Sequence, residues 1–361
     1  MRFDIPILSF LLAGLAVSCS SAYRNIKIPE PVFASECIHN AYFVNELCKD
    51  EKEYLDWANK FPAYPLITDL TRDRLSELAR QYGIDEAAAL IYNRIITDPK
   101  NKALYNYLEN QKTNKRSKQP DVTSKHLTLV FIPGMFYRSN KDFDSEGSNI
   151  RRLAEKIGYR TDIIRVNDTG TVQDNAIAIC DYLEGPTPGK LVMATLSKGA
   201  SDLKTAFARC GKSPHFRKII GWFNIVGLTK GTQIANFVKD NWTIKLYTRI
   251  YFWWKGYDYN GILSMQSGPS TSLDPELLVP NHIRLLNIMA VPIRRTVSEK
   301  AMPYYDLLAP YGPNDGIGLL ADMYLPGGHT WAYWRSDHYF FQPISDTTII
   351  SLLAFMAEGL D

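Results

Sequence analysis

LVMATLSKGASDLKTAF, residues 191–207, changes character at its middle. Leu191 to Thr195 are apolar or small, as in a buried strand, and from Ala200 the sequence is amphipathic, as in a helix. Between them Ser197 sits in Thr195-Leu196-Ser197-Lys198-Gly199, with a small residue two positions away on each side. A turn that joins strand to helix this abruptly has no room for side chains at the flanking positions, and it projects the serine outward. A serine hydroxyl is a weak nucleophile at neutral pH and needs an adjacent base. The rest of the chain must therefore supply partners.

The chain has 361 residues with 45% apolar content, enough for one sizeable core and an accessory region. A net charge of +3 without a long basic stripe gives no footing for nucleic acid. His-Glu-x-x-His, a closely spaced cysteine pair, a Walker loop and a dinucleotide fingerprint are all missing from the sequence, so neither metal nor cofactor is expected.

The first residues, MRFDIPILSFLLAGLAVSCSSA, read as a targeting segment, because the apolar run from Ile5 to Val17 is too short to span a bilayer. Ala16-Val17-Ser18-Cys19 resembles the lipobox of bacterial lipoproteins. That resemblance implies a signal peptide over 1–18 and lipid attachment at Cys19. Ser20 stands where an aspartate favours inner-membrane retention, so the expected location is the cell envelope, anchored in the outer membrane. Cleavage after Ala22 is the alternative, giving a secreted or periplasmic protein. Without Cys19 the cysteine count is even. Export permits the pairs Cys37–Cys48 and Cys180–Cys210, with four buried thiols as the other reading.

Residues 19–121 read as an N-terminal helical region and linker. Thr71 caps a helix that Gly83 ends, a second helix starts near Asp85 and stops before Asp98-Pro99, and a third covers Ala103 to Leu108. Lys112 to Val122 is polar, basic and proline-containing, as a solvated linker is. From 122 to 361 strands and helices alternate, which predicts a mostly parallel sheet. The expected strands are His126–Ile132, Arg160–Val166, Leu191–Thr195, Arg217–Val226, Ile283–Ala290 and about Thr330–Trp334. Helices are expected near Gly147–Ile157, Thr171–Leu183, after Ser197, and over Ile344–Ala357.

In this order, residues 126–361 resemble a lipase- or esterase-type α/β-hydrolase, whose triad runs nucleophile, acid, histidine along the chain. The resemblance implies an α/β, doubly wound, mostly parallel sheet, with Ser197 on the nucleophile elbow. Asn314-Asp315-Gly316-Ile317-Gly318 is similar to the acid motif of lipases, which implies Asp315 as the acid, with Asp322 in reserve. Ser336-Asp337-His338 before Tyr339-Phe340-Phe341 lies where the family places its histidine, so His338 is the expected base; His329 stands at the wrong end of the last strand. Pro133-Gly134-Met135 is similar to the family's oxyanion loop with proline in place of histidine. The Met135 and Lys198 backbone N–H groups are thus the candidate oxyanion donors. Ile225 to Thr232 resembles a lipase segment ending in Gly-Thr. Beyond it a cap over about 233–280 contains Tyr247, Tyr251, Phe252, Trp253, Trp254 and Tyr257, where lipases insert their lid. Such aromatics suit an acyl pocket or a lipid surface, and equally the packing of a helical insertion onto the core.

These residues imply a serine hydrolase acting on an ester or lipid-like substrate through an acyl-enzyme. A thioesterase, amidase or peptidase needs the same triad, and a catalytically silent surface lipoprotein would keep the fold for binding. The sequence carries no signal for oligomeric state.

Overall fold

The computed structural model describes residues 49–113, 120–139, 144–187, 189–277 and 279–360. Cys19, Cys37 and Cys48 lie outside them, as do residues 114–119 of the basic stretch 112–122.

Four helices come first: α1 (Lys49–Lys60), α2 (Arg72–Gln81), α3 (Ile84–Thr97) and α4 (Pro99–Thr113). The Thr71 hydroxyl accepts the Arg74 N–H at the start of α2. Asp98 ends α3 while Pro99 occupies the first position of α4, where its missing N–H costs no helical bond. Helix α4 therefore starts before the expected Ala103 and runs on to Thr113.

Alternation then begins with β1 (Leu127–Ile132), α5 (Ser148–Lys156), β2 (Arg160–Ile163), α6 (Val172–Glu184), β3 (Lys190–Leu196), α7 (Lys198–Cys210) and β4 (Ile219–Ile225). The cap follows as α8 (Gln233–Asp240), α9 (Trp242–Lys255) and α10 (Tyr259–Leu263). The chain closes with β5 (Arg284–Val291), α11 (Met302–Leu308), α12 (Leu320–Met323), β6 (His329–Trp334) and α13 (Asp346–Glu358). The six strands form one parallel sheet in the order β2-β1-β3-β4-β5-β6.

Both faces of the sheet are buried, which is why β1 and β3 read as continuous apolar runs. Leu127, Leu129 and Phe131 of β1 and Val192 and Ala194 of β3 face one core; Val130, Ile132, Leu191 and Met193 face the other. Helices α6 and α7 cover the second face through Ile179, Leu183, Leu203 and Ala206. Cys180 and Cys210 join these two helices in a disulfide. The first face is covered by α5, α13 and the N-terminal helices, whose Leu90, Ile91 and Leu104 belong to the same apolar cluster as the strands. Strand β2 stops at Ile163, short of the expected Val166. It is an edge strand with one neighbour, and its residues are exposed or half-buried throughout.

Charged contacts fix the N-terminal helices to the sheet domain. Buried Glu51 lies 2.6 Å from Arg295 and 3.4 Å from Arg335. Arg72 reaches Asp322 at 2.6 Å and donates to the Ser267 hydroxyl of the cap at 2.8 Å.

Candidate active site

Ser197 stands between β3 and α7 with φ 53° and ψ −117°. A non-glycine residue held there costs on the order of 1–3 kcal/mol and persists only when its surroundings over-determine it. Here they do. The Ser197 N–H donates to the Ile225 carbonyl at 3.0 Å, and its own carbonyl accepts from Leu228 and Ala200 at 3.1 Å each. Gly199 permits the turn to approach the sheet. A Cβ at that position would lie 2.5 Å from the Ile132 carbonyl oxygen and 2.8 Å from that of Pro133.

Asp315 is fully buried, and its Oδ1 accepts the Ile317 and Gly318 N–H groups at 2.9 and 2.7 Å. Gly316, at φ 97°, makes that tight turn possible. The other oxygen, Oδ2, faces His338 Nδ1 at 2.6 Å, and the His338 N–H donates to the Asp315 carbonyl at 2.8 Å. A carboxylate only accepts, so Nδ1 carries the ring proton and Nε2 is left as an acceptor. Ser197 Oγ lies 2.9 Å from that Nε2. Ser197, His338 and Asp315, far apart in sequence, form one hydrogen-bonded line at the carboxyl ends of β3, β5 and β6. A serine on a strand–turn–helix elbow, with its acid and histidine following in that chain order, is the defining arrangement of one architecture. The chain has the α/β-hydrolase fold.

No protein-family model matches the chain, and neither does any curated protein. Solved structures show partial likenesses. A metagenomic carboxyl esterase is 21% identical over 68% of this chain and 78% of its own, with a TM-score of 0.48. A lipase of Bacillus licheniformis in its mature form is 17% identical over 63% of this chain and 89% of its own, with a TM-score of 0.44. Alpha/beta hydrolase domain-containing protein 10 from mouse is 14% identical over 62% of this chain and 86% of its own, with a TM-score of 0.37.

In this α/β-hydrolase fold the Lys198 N–H heads α7, where it has no partner within the helix. Met135, Lys198, Ser197 and His338 all line one cavity of about 1680 Å³. Small-molecule sites commonly measure ~300–1,000 Å³, so this one is large. Most of its wall is apolar, including Ile234, Phe237, Tyr247, Tyr251 and Phe252 of the cap. Helix α9 thus presents one face to the cavity. Its other face is an exposed stripe of Trp242, Leu246, Ile250, Trp253 and Trp254, the two last being 82% and 63% exposed. The helix carries Lys245, Arg249 and Lys255 and no acidic residue.

Asp322 is placed elsewhere, paired with Arg72, and His329 contacts the Lys100 carbonyl at the far end of β6. Asp337, beside the histidine, is bonded elsewhere than to Ser197 or Asp315. Its carboxylate accepts the N–H groups of Ser298 at 2.8 Å and Tyr339 at 3.0 Å and so shapes the loop that carries His338. Sequence reasoning missed a buried polar ladder beneath the elbow. Trp222 Nε1 donates to Thr195 Oγ1 at 2.8 Å, which donates to Asn224 Oδ1 at 2.8 Å. Asn224 Nδ2 donates to Asn287 Oδ1 at 2.7 Å, and Asn287 to the Met323 carbonyl at 3.0 Å. Asn224 and Asn287, each inside an otherwise apolar strand, were the available signal. Among the described residues no group of His, Cys, Asp and Glu is placed to hold a metal ion.

Proposed function

We propose that the protein is a serine hydrolase that cleaves carboxylic esters of long-chain, lipid-like acids. One observation carries this reading: the Ser197–His338–Asp315 line opens into a large, mostly apolar cavity roofed by an aromatic cap. Ser197 Oγ attacks the ester carbonyl while His338 Nε2 takes its proton, and Asp315 stabilises the resulting imidazolium. The Lys198 and Met135 N–H groups receive the tetrahedral oxyanion, each worth about 3 kcal/mol. As the C–O bond breaks, His338 gives the proton to the leaving alcohol. Water, activated by the same histidine, then releases the acid from the acyl-serine.

The exposed stripe of α9, a helix whose charged residues are all basic, supports a substrate presented at an anionic lipid surface. A lipid anchor at Cys19 and residence in the cell envelope fit that substrate and belong to the same proposal; no helix among the described residues is long and apolar enough to cross a membrane.

A chain-length series of nitrophenyl esters tests the reading. Turnover should favour long acyl chains, and Ser197→Ala and His338→Ala should each lower it about 10⁴-fold or more. Near-normal hydrolysis by either variant would refute the triad, and a preference for acetate would refute the long-chain substrate.

A further inference from the structure

Helix α7 opens on a charge pair for which the reaction above has no use. Lys198 Nζ donates to Asp202 Oδ1 at 2.6 Å, and the two side chains are only 3% and 1% exposed. Desolvation makes such a buried pair a poor source of stability. Burial pushes the Asp202 carboxyl up, against the pull of Lys198 and Asn175. The pair does not end at Asp202. Its second oxygen accepts from Asn175 Nδ2 at 2.9 Å, on the neighbouring helix α6.

Asn175 grips the main chain of Asn167 from both sides. Its Oδ1 accepts the Asn167 N–H at 3.0 Å, and its Nδ2 donates to the Asn167 carbonyl at 3.2 Å. The next residue, Asp168, holds the loop after β1. Its carbonyl accepts the Phe136 N–H at 3.1 Å, and its carboxylate accepts the Arg138 N–H at 3.0 Å and the Ser139 hydroxyl at 2.7 Å. A run of hydrogen bonds, with one covalent step from Asn167 to Asp168, thus leads from Lys198, one candidate oxyanion donor, to Phe136, whose neighbour Met135 bears the other.

We propose that Lys198, Asp202 and Asn175 are positioning residues, a buried strut that sets the spacing between the two oxyanion donors. The proposal rests on the serine-hydrolase reading. An oxyanion hole is effective only if its donors are fixed before charge develops. A strut shielded from water and salt provides that rigidity where a surface pair would not.

Lys198→Met combined with Asp202→Leu replaces the pair with apolar groups, an exchange that is often neutral or stabilising. The folded variant should hydrolyse a nitrophenyl ester with kcat about 10²-fold lower and KM within about twofold. Affinity for a trifluoromethyl ketone, which binds as an oxyanion, should fall by the same factor. Asn175→Ala leaves the ion pair intact and cuts the strut further along, and it should give the same pattern. It decides alone if the double variant does not fold. Unchanged kcat in a folded variant, or a change confined to KM, overturns the proposal. Wild type assayed alongside separates the two claims: active wild type with unaffected variants refutes the strut only, whereas inactive wild type refutes both.

Discussion

Replacing Gly199 by alanine sets two physical effects against each other. In an ordinary helix the change is favourable by about 1 kcal/mol, because alanine has the lower backbone entropy to lose. Here the new Cβ would lie 2.5 and 2.8 Å from the Ile132 and Pro133 carbonyl oxygens, both main-chain atoms that no side-chain rotation can clear. Ordinary contact begins near 3.4 Å, so the start of α7 and the loop after β1 must separate by roughly 0.6–0.9 Å. That loop carries Met135, and α7 carries Lys198. The separation therefore opens the proposed oxyanion hole directly. Overpacking costs about 1–3 kcal/mol, which outweighs the gain in propensity. Misplacing catalytic groups by about 1 Å costs on the order of 10²-fold in rate. Gly199→Ala should accordingly lower kcat on nitrophenyl esters about 10²-fold, with little change in KM and a melting temperature a few degrees lower. The assay is steady-state hydrolysis paired with thermal unfolding on the same preparation. A variant that is fully active and more stable than wild type would refute the argument.

Three further perturbations reach other parts of the structure. Burial, helped by the neighbouring Asp85, raises the Glu86 carboxyl from 4.5 to about 7, so the folded state binds a proton that the unfolded state releases. Stability should fall by about 3 kcal/mol as pH rises from 4.5 to 7, and Glu86→Gln should remove that slope in urea titrations at several pH values; an unchanged slope counts against the buried acid. Cys180→Ala with Cys210→Ala frees a loop closed over a separation of 30 residues and should cost about 4 kcal/mol of unfolding free energy with kcat unaltered. A loss below about 1 kcal/mol would show that the bond constrains little. Trp253→Ser should weaken binding to phosphatidylglycerol vesicles by about 2 kcal/mol, near thirtyfold, if half the indole inserts, while leaving short soluble esters unaffected. Equal binding by wild type and variant would remove the lipid surface from the account.

The parts of the fold that were legible in the sequence share a cause. Strands β1 and β3 are buried on both faces and so are apolar without alternation, and the turns around Ser197, Asp315 and His338 each carry a small or turn-forming residue. Their order along the chain did the rest. What stayed hidden depends on burial and on distant contacts. Lys198 and Asp202 at i and i+4 look like an ordinary solvated pair on a helix, and only the packing of α6 over α7 places them in the interior. Asp322, the spare acid of the sequence reading, is paired with Arg72, 250 positions away. The aromatic run in the cap was visible as composition. Which rings face the cavity and which face solvent is set by the rotation of α9 about its axis, where it packs against α8 and α10 and Phe252 meets Phe136.

The central claim is that Ser197 is the nucleophile, activated by His338. Treatment with an active-site-directed fluorophosphonate, read by intact mass and peptide mapping, tests it with no assumption about substrate. The account predicts a single phosphonyl adduct on Ser197 in wild type, none on Ser197→Ala, and labelling slowed by orders of magnitude in His338→Ala. An unlabelled wild type, or an adduct that persists in Ser197→Ala, would contradict it.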